Sequence, residues 1–495
     1  MPAIRKGNIM KSHFPLVLIL SVTVSNCFTV ICKAQGRSSK MEYAFIRENG
    51  KTNPSIKGYW RSIGNGYIIN ATTDSVLLYS YTTNFCYKEK NDYIEKLLNT
   101  QSRFSRHGDT ITIFPTDYGD KTYQLQIKND YVKINNLPKN CISFSEMQHL
   151  NPTQLFSLFI ETLKENYAFS NERNLNWATI QKDYGKKISG STTEQELFQI
   201  MGDVVTLTKD HHTKVIAENG TTLQYRGTPT AEIVKEAFNN QSAVKDLNNF
   251  YNLFFGTNYK NISDSLLQGN GEKIANGQLE WGSLNNKIGY ISIYSFTNFS
   301  KSGLSRKQEI DSLNYYFEHI ITSLKDKESI IVDVSFNFGG YDAAFLAIAG
   351  FFTNKSQPAY TSQVYNNGKF YDESKIYIYP SRSITYTKPI YLLMTDISRS
   401  AAEDFAMAMK ALPNVKLVGT NTLGILSSML GKSIGRFYST SSNQRLLSPN
   451  GKYYEVSGVE PDIKINVFSK ENVFGGHKDA VRTLMEIIEK NISKD

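Results

Sequence analysis

From residue 287 onward, nearly unbroken apolar runs alternate with helical patterns, and two of the runs end in turns suited to close backbone approach. Ile330-Ile331-Val332-Asp333-Val334 leads into Asn337-Phe338-Gly339-Gly340. Ile390-Tyr391-Leu392-Leu393-Met394 leads into Thr395-Asp396-Ile397-Ser398-Arg399-Ser400, then Ala401-Ala402-Glu403. Runs of this kind are strands covered on both faces. Strand 288–293 comes first, then a helix marked by Ile310, Leu313, Phe317, Ile320 and Leu324. Strand 330–334, helix 341–352, strand 390–394, helix 401–411 and strand 415–419 follow. The alternation restricts the segment to an α/β layer with largely parallel strands. Ligand sites in such sheets lie beyond the carboxyl ends of the strands, where both turns fall.

Upstream the periodicity differs. Residues 41–148 read as an all-β domain: runs at 66–70, 75–79, 110–114, 123–127 and 131–134 are β-branched or aromatic, and Gly108-Asp109 and Asn129-Asp130 supply turns. From 151 to 215 the period is helical, with Leu155, Phe156, Phe159, Ile160 and Leu163, then Leu197, Ile200, Met201, Val204 and Val205. Thr193 and Glu196 have capping-box spacing at the second helix start. Residues 216–286 form a linking region with a helix near 230–255, and 468–495 a C-terminal helix after a core at 287–467.

With 495 residues, more than one core is expected. Arg5, Lys6 and Lys11 precede the apolar run from Phe14 to Val24, and Cys32-Lys33-Ala34 closes it. This is the order of an export signal over 1–34, and the run is too short for a transmembrane span. An exported, periplasmic or extracellular protein is expected, and a lipid anchor at Cys27 or Cys32 stays open. Removing 1–34 takes four basic residues and lowers the formal charge from +9 to +5. A mild surplus spread along the chain is a solvated surface, not a nucleic-acid stripe. Cys86 and Cys141 would remain, as a disulfide or as two buried thiols. No Cys/His cluster has zinc spacing, so neither a metal nor another cofactor is expected.

Ser400 is the candidate nucleophile. At the start of a helix, a developing negative charge meets unpaired N–H groups and the positive end of the helix dipole. A serine there also commonly serves as a plain N-cap, and Ser398 could take that place instead. Gly339-Gly340 fits a turn needing positive φ, and equally a backbone that a substrate carbonyl can approach.

Four motifs in order give the chain a likeness to a known family. Asp333-Val334-Ser335-Phe336-Asn337-Phe338-Gly339-Gly340 resembles an Asp-x-Arg-x-Asn-x-Gly-Gly strand end, with Ser335 replacing the arginine. Ser400-Ala401-Ala402-Glu403, Gly419-Thr420-Asn421-Thr422-Leu423-Gly424 and Gly458-Val459-Glu460-Pro461-Asp462 follow. Together they resemble the serine peptidases that include the C-terminal processing (tail-specific) peptidases and the tricorn protease core. The resemblance, over roughly 150–467, implies a crotonase-like α/β core with a helical cap. Processing peptidases place a lysine after the Thr-x-Gly glycine, but Ile425 stands there and cannot accept a proton. The tricorn-like branch uses a histidine, and Asp210-His211-His212-Thr213 matches its Asp-x-His-Thr context with His212 at the catalytic place. Glu455 corresponds to that branch's orienting glutamate.

The resemblance therefore implies a serine peptidase acting on a peptide or protein. His212 is the base for Ser400, and the N–H groups of Gly339 or Gly340 and of Ala401 hold the oxyanion. Residues 214–286 lack the Gly-rich carboxylate-binding loop of a PDZ domain. A non-catalytic ligand- or peptide-binding protein on the same scaffold is the alternative. A crotonase-type acyl-CoA enzyme is disfavoured by the export signal.

Overall fold

The computed structural model describes residues 43–90, 92–100, 102–114, 128–240, 244–300 and 304–493. The segment 1–34 expected to be an export signal, Cys27, Cys32 and the strand expected at 123–127 lie outside the described residues.

The seven-stranded sheet that carries the site runs Glu272–Ile274, Leu279–Ser283, Ile288–Ile293, Ser329–Asp333, Ile390–Met394, Val415–Gly419, Ile463–Lys464. Its first two strands are antiparallel additions, and pairing is parallel from Ile288–Ile293 onward. Side chains alternate between two apolar layers, as a period of two requires. Ile330, Val332, Ile390 and Leu392 face one cluster, built with helices Arg306–Leu324, Asp342–Gly350 and Ala401–Lys410. Ile331, Tyr391 and Leu393 face the other, built with helices Pro229–Asn239, Leu247–Asn261 and Gly476–Ile492. The expected single helix near 230–255 is thus two, divided before Asp246, whose carboxylate caps the second.

Helices Pro152–Asn166, Trp177–Gly185 and Glu194–Leu207 enclose a third apolar cluster around Phe159, Leu163, Met201 and Val205. The Thr193–Glu196 capping box forms in both directions, at 3.2 and 2.8 Å. Immediately after this layer, strand Lys214–Ile216 pairs with Thr222–Gln224 on one side and with Phe437–Ser442 on the other. The hairpin Met429–Ile434/Phe437–Ser442 thereby ties the C-terminal part of the chain to the segment carrying His212.

The region expected to be all-β is β-rich, with helices Asp92–Thr100 and Phe144–Gln148 within it. Asn99 on the first helix bonds the Val76 N–H and carbonyl at 2.9 Å each, and Glu95 takes the Leu78 N–H at 3.0 Å. The helix thus meets backbone groups of the strand Val76–Tyr81. Cys86 and Cys141 form a disulfide between paired parallel strands. A long hairpin, Gln357–Asn366 with Lys369–Ile378, was not anticipated; its turn residues Asn367 and Gly368 have φ of 45° and 85°. Among the described residues, no helix is long and apolar enough to cross a membrane.

Candidate active site

Strand Ser329–Asp333 ends in a turn fixed by its own polar side chains. Asp333 accepts the Ser335 N–H at 2.8 Å, the Tyr290 hydroxyl at 2.5 Å and His477 Nε2 at 2.6 Å, all buried. These bonds outweigh burial and hold its carboxyl below the usual range. Asn337 donates to the Ile293 carbonyl at 3.0 Å and accepts the Gly339 N–H at 2.7 Å. The Gly339 N–H is therefore engaged. Among the described residues, the Gly340 and Ala401 N–H groups meet no acceptor. Gly339, at φ 100°, lies against the serine: a Cβ added there would sit 2.8 Å from Ser400 Cβ.

The second turn is braced to the first. Ser398 Oγ donates to the Val334 carbonyl at 2.7 Å and Thr395 Oγ1 to the Ser335 carbonyl at 2.8 Å. The helix N-cap is Ser400, at φ 57° and ψ −131°. Caps elsewhere in the chain, Asn151, Thr193 and Ser305, have φ of −71°, −70° and −69°. An ordinary N-cap is extended. A serine held at positive φ is strained by about 1–3 kcal/mol, a condition that clusters at functional sites.

Sequence reasoning missed the residue that holds this conformation. Glu403 is fully buried one turn into the helix; it accepts the Ser400 N–H at 3.2 Å and the Ile425 N–H at 2.8 Å through Oε2. Its Oε1 takes the Thr422 hydroxyl and the Gly424 N–H, both at 2.6 Å. Burial pushes its carboxyl up to about 7 despite those donors. The capping-box spacing from Ser400 to Glu403 was the available signal.

The loop after Gly424 joins the remaining candidates. Ser400 N–H donates to the Ile425 carbonyl at 3.1 Å. His212 Nδ1 donates to the Ser427 carbonyl at 2.6 Å, which leaves Nε2 with the lone pair. Glu455 Oε2 accepts the N–H groups of Leu426 at 2.8 Å and Ser427 at 3.0 Å. One short loop thus holds the serine backbone, the histidine ring and the glutamate. A second link is direct: Arg399 Nη1 lies 3.3 Å from His211 Nδ1. Asp210 fixes the entry to His212 by accepting its N–H at 2.7 Å and the Thr213 hydroxyl at 3.0 Å. Burial lowers the His212 pKa, so the ring is neutral at neutral pH. Burial, with Asp210 and Glu403 nearby, raises Glu455 well above the usual carboxylate range.

Lys432 is buried, donates to the Gly66 carbonyl at 2.6 Å and lies over the Tyr67 ring. It fastens the hairpin to the β-rich region.

Residues 287–465 match peptidase family S41, and residues 148–206 match the tricorn protease C1 domain. These two segments are thus similar to domains of the S41 class of serine peptidases. The carboxy-terminal processing protease CtpA of Bacillus subtilis (strain 168) is 28% identical over 184 residues, covering 36% of this chain and 35% of CtpA. CtpB of the same organism is 27% identical over 186 residues, 36% of this chain and 34% of CtpB. The chain thus spans about a third of the length of these relatives. A solved structure from Parabacteroides merdae ATCC 43184 shares the fold, with a TM-score of 0.54 and 22% identity over 68% of this chain and 97% of that one.

Proposed function

We propose that this chain is an exported serine peptidase in which Ser400 is the nucleophile and His212 its general base. The carrying observation is the shared loop: Ser400 N–H and the His212 ring bind carbonyls two residues apart, at Ile425 and Ser427. His212 Nε2 takes the Ser400 Oγ proton as Oγ attacks a peptide carbonyl, then passes that proton to the leaving amine. Water, deprotonated by the same nitrogen, attacks the acyl carbonyl, and Nε2 returns that proton to Ser400 Oγ as the acid leaves. Gly340 and Ala401 are the oxyanion donors, because Gly339 N–H already serves Asn337. Gly339 contributes by having no side chain against Ser400. Losing one such donor costs roughly 2.7–4 kcal/mol of transition-state stabilisation. Glu455 is a positioning residue, acting on His212 through Ser427.

The core is read as crotonase-like, with residues 151–215 as its cap. Export is supported by the order of residues 1–34 and by the Cys86–Cys141 disulfide, which suits an oxidising compartment. The substrate is a peptide or protein. The relatives' carboxy-terminal processing role is not carried over, since 229–261 form helices rather than a strand-rich peptide-binding module.

A fluorophosphonate probe tests this. Ser400 is expected to carry the label, and Ser400→Ala and His212→Ala to lose it with the fold retained. Absence of labelling in the intact wild-type chain would favour the non-catalytic binding protein.

A further inference from the structure

Arg399, the residue before the proposed nucleophile, is held without a direct ion pair among the described residues. Its guanidinium lies 4.5 Å from the centre of the Phe338 ring, and Phe338 is 43% exposed beside the Gly339-Gly340 turn. Among the described residues its hydrogen-bond acceptor is His211 Nδ1 at 3.3 Å. His211 Nε2 donates to the Gly227 carbonyl at 3.0 Å, which fixes Nδ1 as the acceptor nitrogen. Burial lowers the His211 pKa to about 4, so the ring stays neutral; the Glu403 carboxyl acts on Arg399 only through space, its oxygens being bonded to Ser400, Thr422, Gly424 and Ile425.

Two more cations adjoin it. The antiparallel register Lys214↔Gln224, Val215↔Leu223 places Arg226, two residues beyond Gln224, across from His212. The His211–Gly227 bond continues the same register. Lys214 stands two residues after His212. Arg399, Arg226 and Lys214 form no ion pair among the described residues. The acid within this segment, Asp210, is taken up by the His212 N–H and the Thr213 hydroxyl. A half-buried guanidinium loses hydration, and a ring face and a neutral imidazole return less than a directly paired anion would. Its planar fork suits a carboxylate.

We propose that Arg399, supported by Arg226 and Lys214, is a carboxylate-binding subsite beside Ser400, so that the chain selects peptides presenting an acidic group next to the cleaved bond. The proposal rests on the hydrolytic reading of Ser400 and His212, and it names the substrate class of that site. The carboxylate has two possible sources, an acidic side chain or a free C-terminus.

Three sets of quenched fluorescent peptides separate the cases: an internal Glu with an amidated end, the Gln counterpart, and the Gln counterpart with a free C-terminal carboxylate. A charge-assisted pair predicts a preference of about ten- to a hundredfold in kcat/KM for a carboxylate-bearing set over the amidated Gln set. Arg399→Gln should collapse that ratio toward one, and Arg399→Lys should restore part of it. Whichever carboxylate-bearing set is preferred identifies the source. Equal rates for all three sets, in a protein that fluorophosphonate labels, would overturn the subsite and leave the peptidase reading standing. Failure of labelling would overturn the peptidase reading instead. Equilibrium binding of the same peptides to Ser400→Ala then decides the subsite without turnover: equal affinities reject it, and a preference lost in Ser400→Ala/Arg399→Gln upholds it.

Discussion

Replacing Glu455 separates two ways in which a buried carboxylate could serve His212. Its Oε2 accepts two buried N–H groups, from Leu426 and Ser427, while Oε1 meets no partner among the described residues. In Glu455→Ala both donors lose their acceptor, at about 1–3 kcal/mol each. A total of roughly 3 kcal/mol, near the lower middle of that range, is expected in urea denaturation. The strained loop would relax by moving Leu426 and Ser427, and the Ser427 carbonyl holds His212 Nδ1. If that energy appears in the placement of the ring, the labelling rate of Ser400 falls on the order of a hundredfold. Glu455→Gln keeps a carbonyl oxygen facing the two N–H groups. Because burial and two neighbouring acids favour the protonated form of Glu455, glutamine resembles the native state in charge as well as shape. Its labelling rate should stay within about threefold and its stability within about 1 kcal/mol of wild type. Should glutamine prove as damaging as alanine, the charge of Glu455 matters and loop placement does not explain it. An alanine variant with normal labelling would show that the loop does not position His212.

Three other outcomes are expected. Glu403 binds its proton more tightly folded, at about 7 against an ordinary 4.5, so its contribution to stability is complete below 4.5 and lost as pH rises through 7. That loss, on the order of 3 kcal/mol, should be absent in Glu403→Gln, and the difference between the two proteins' urea midpoints across this window measures it. Gly339→Ala combines a φ of 100° with a Cβ 2.8 Å from Ser400 Cβ and 3.0 Å from the Arg399 carbonyl. Labelling should fall about five- to a hundredfold with circular dichroism retained, as a strain of about 1–3 kcal/mol implies. Removing the disulfide as Cys86→Ser/Cys141→Ser opens a loop of 55 residues, which should cost about 4 kcal/mol in denaturant titration.

What the sequence reveals here is whatever repeats locally. The strands at 288–293, 390–394 and 415–419 fall where apolar runs place them, because a strand buried on both faces has no polar positions to blur it. The Thr193–Glu196 box is legible for the same reason: its partners are three residues apart. Helix Asp92–Thr100 escaped notice although Ile94, Leu97 and Leu98 have helical spacing, since short strands surround it. The hairpin Gln357–Ile378 was signalled by Asn367-Gly368, a pair that favours the tight turn, but its faces alternate too irregularly across two register shifts. Polar contacts across long separations leave no local pattern at all. His477 reaches Asp333 from the last helix, and Ser427 meets His212 from the far side of the chain.

Ser400 is not limited to the role of helix cap or to that of candidate nucleophile. The serine is the N-cap, yet it lacks the extended backbone of the other caps. Its carbonyl accepts the N–H groups of Glu403 at 2.7 Å and Asp404 at 3.2 Å, while its own N–H is shared between Glu403 Oε2 and the Ile425 carbonyl. Four contacts on one peptide segment hold a conformation that serine alone would leave. Three of them involve Glu403 or its neighbour, and Glu403 also grips Gly424 and Ile425 on the loop that carries His212. A single buried carboxyl therefore sets the angle of the proposed nucleophile and the position of the loop beneath its proposed base. Its cost of burial is retained because both halves of the site depend on it.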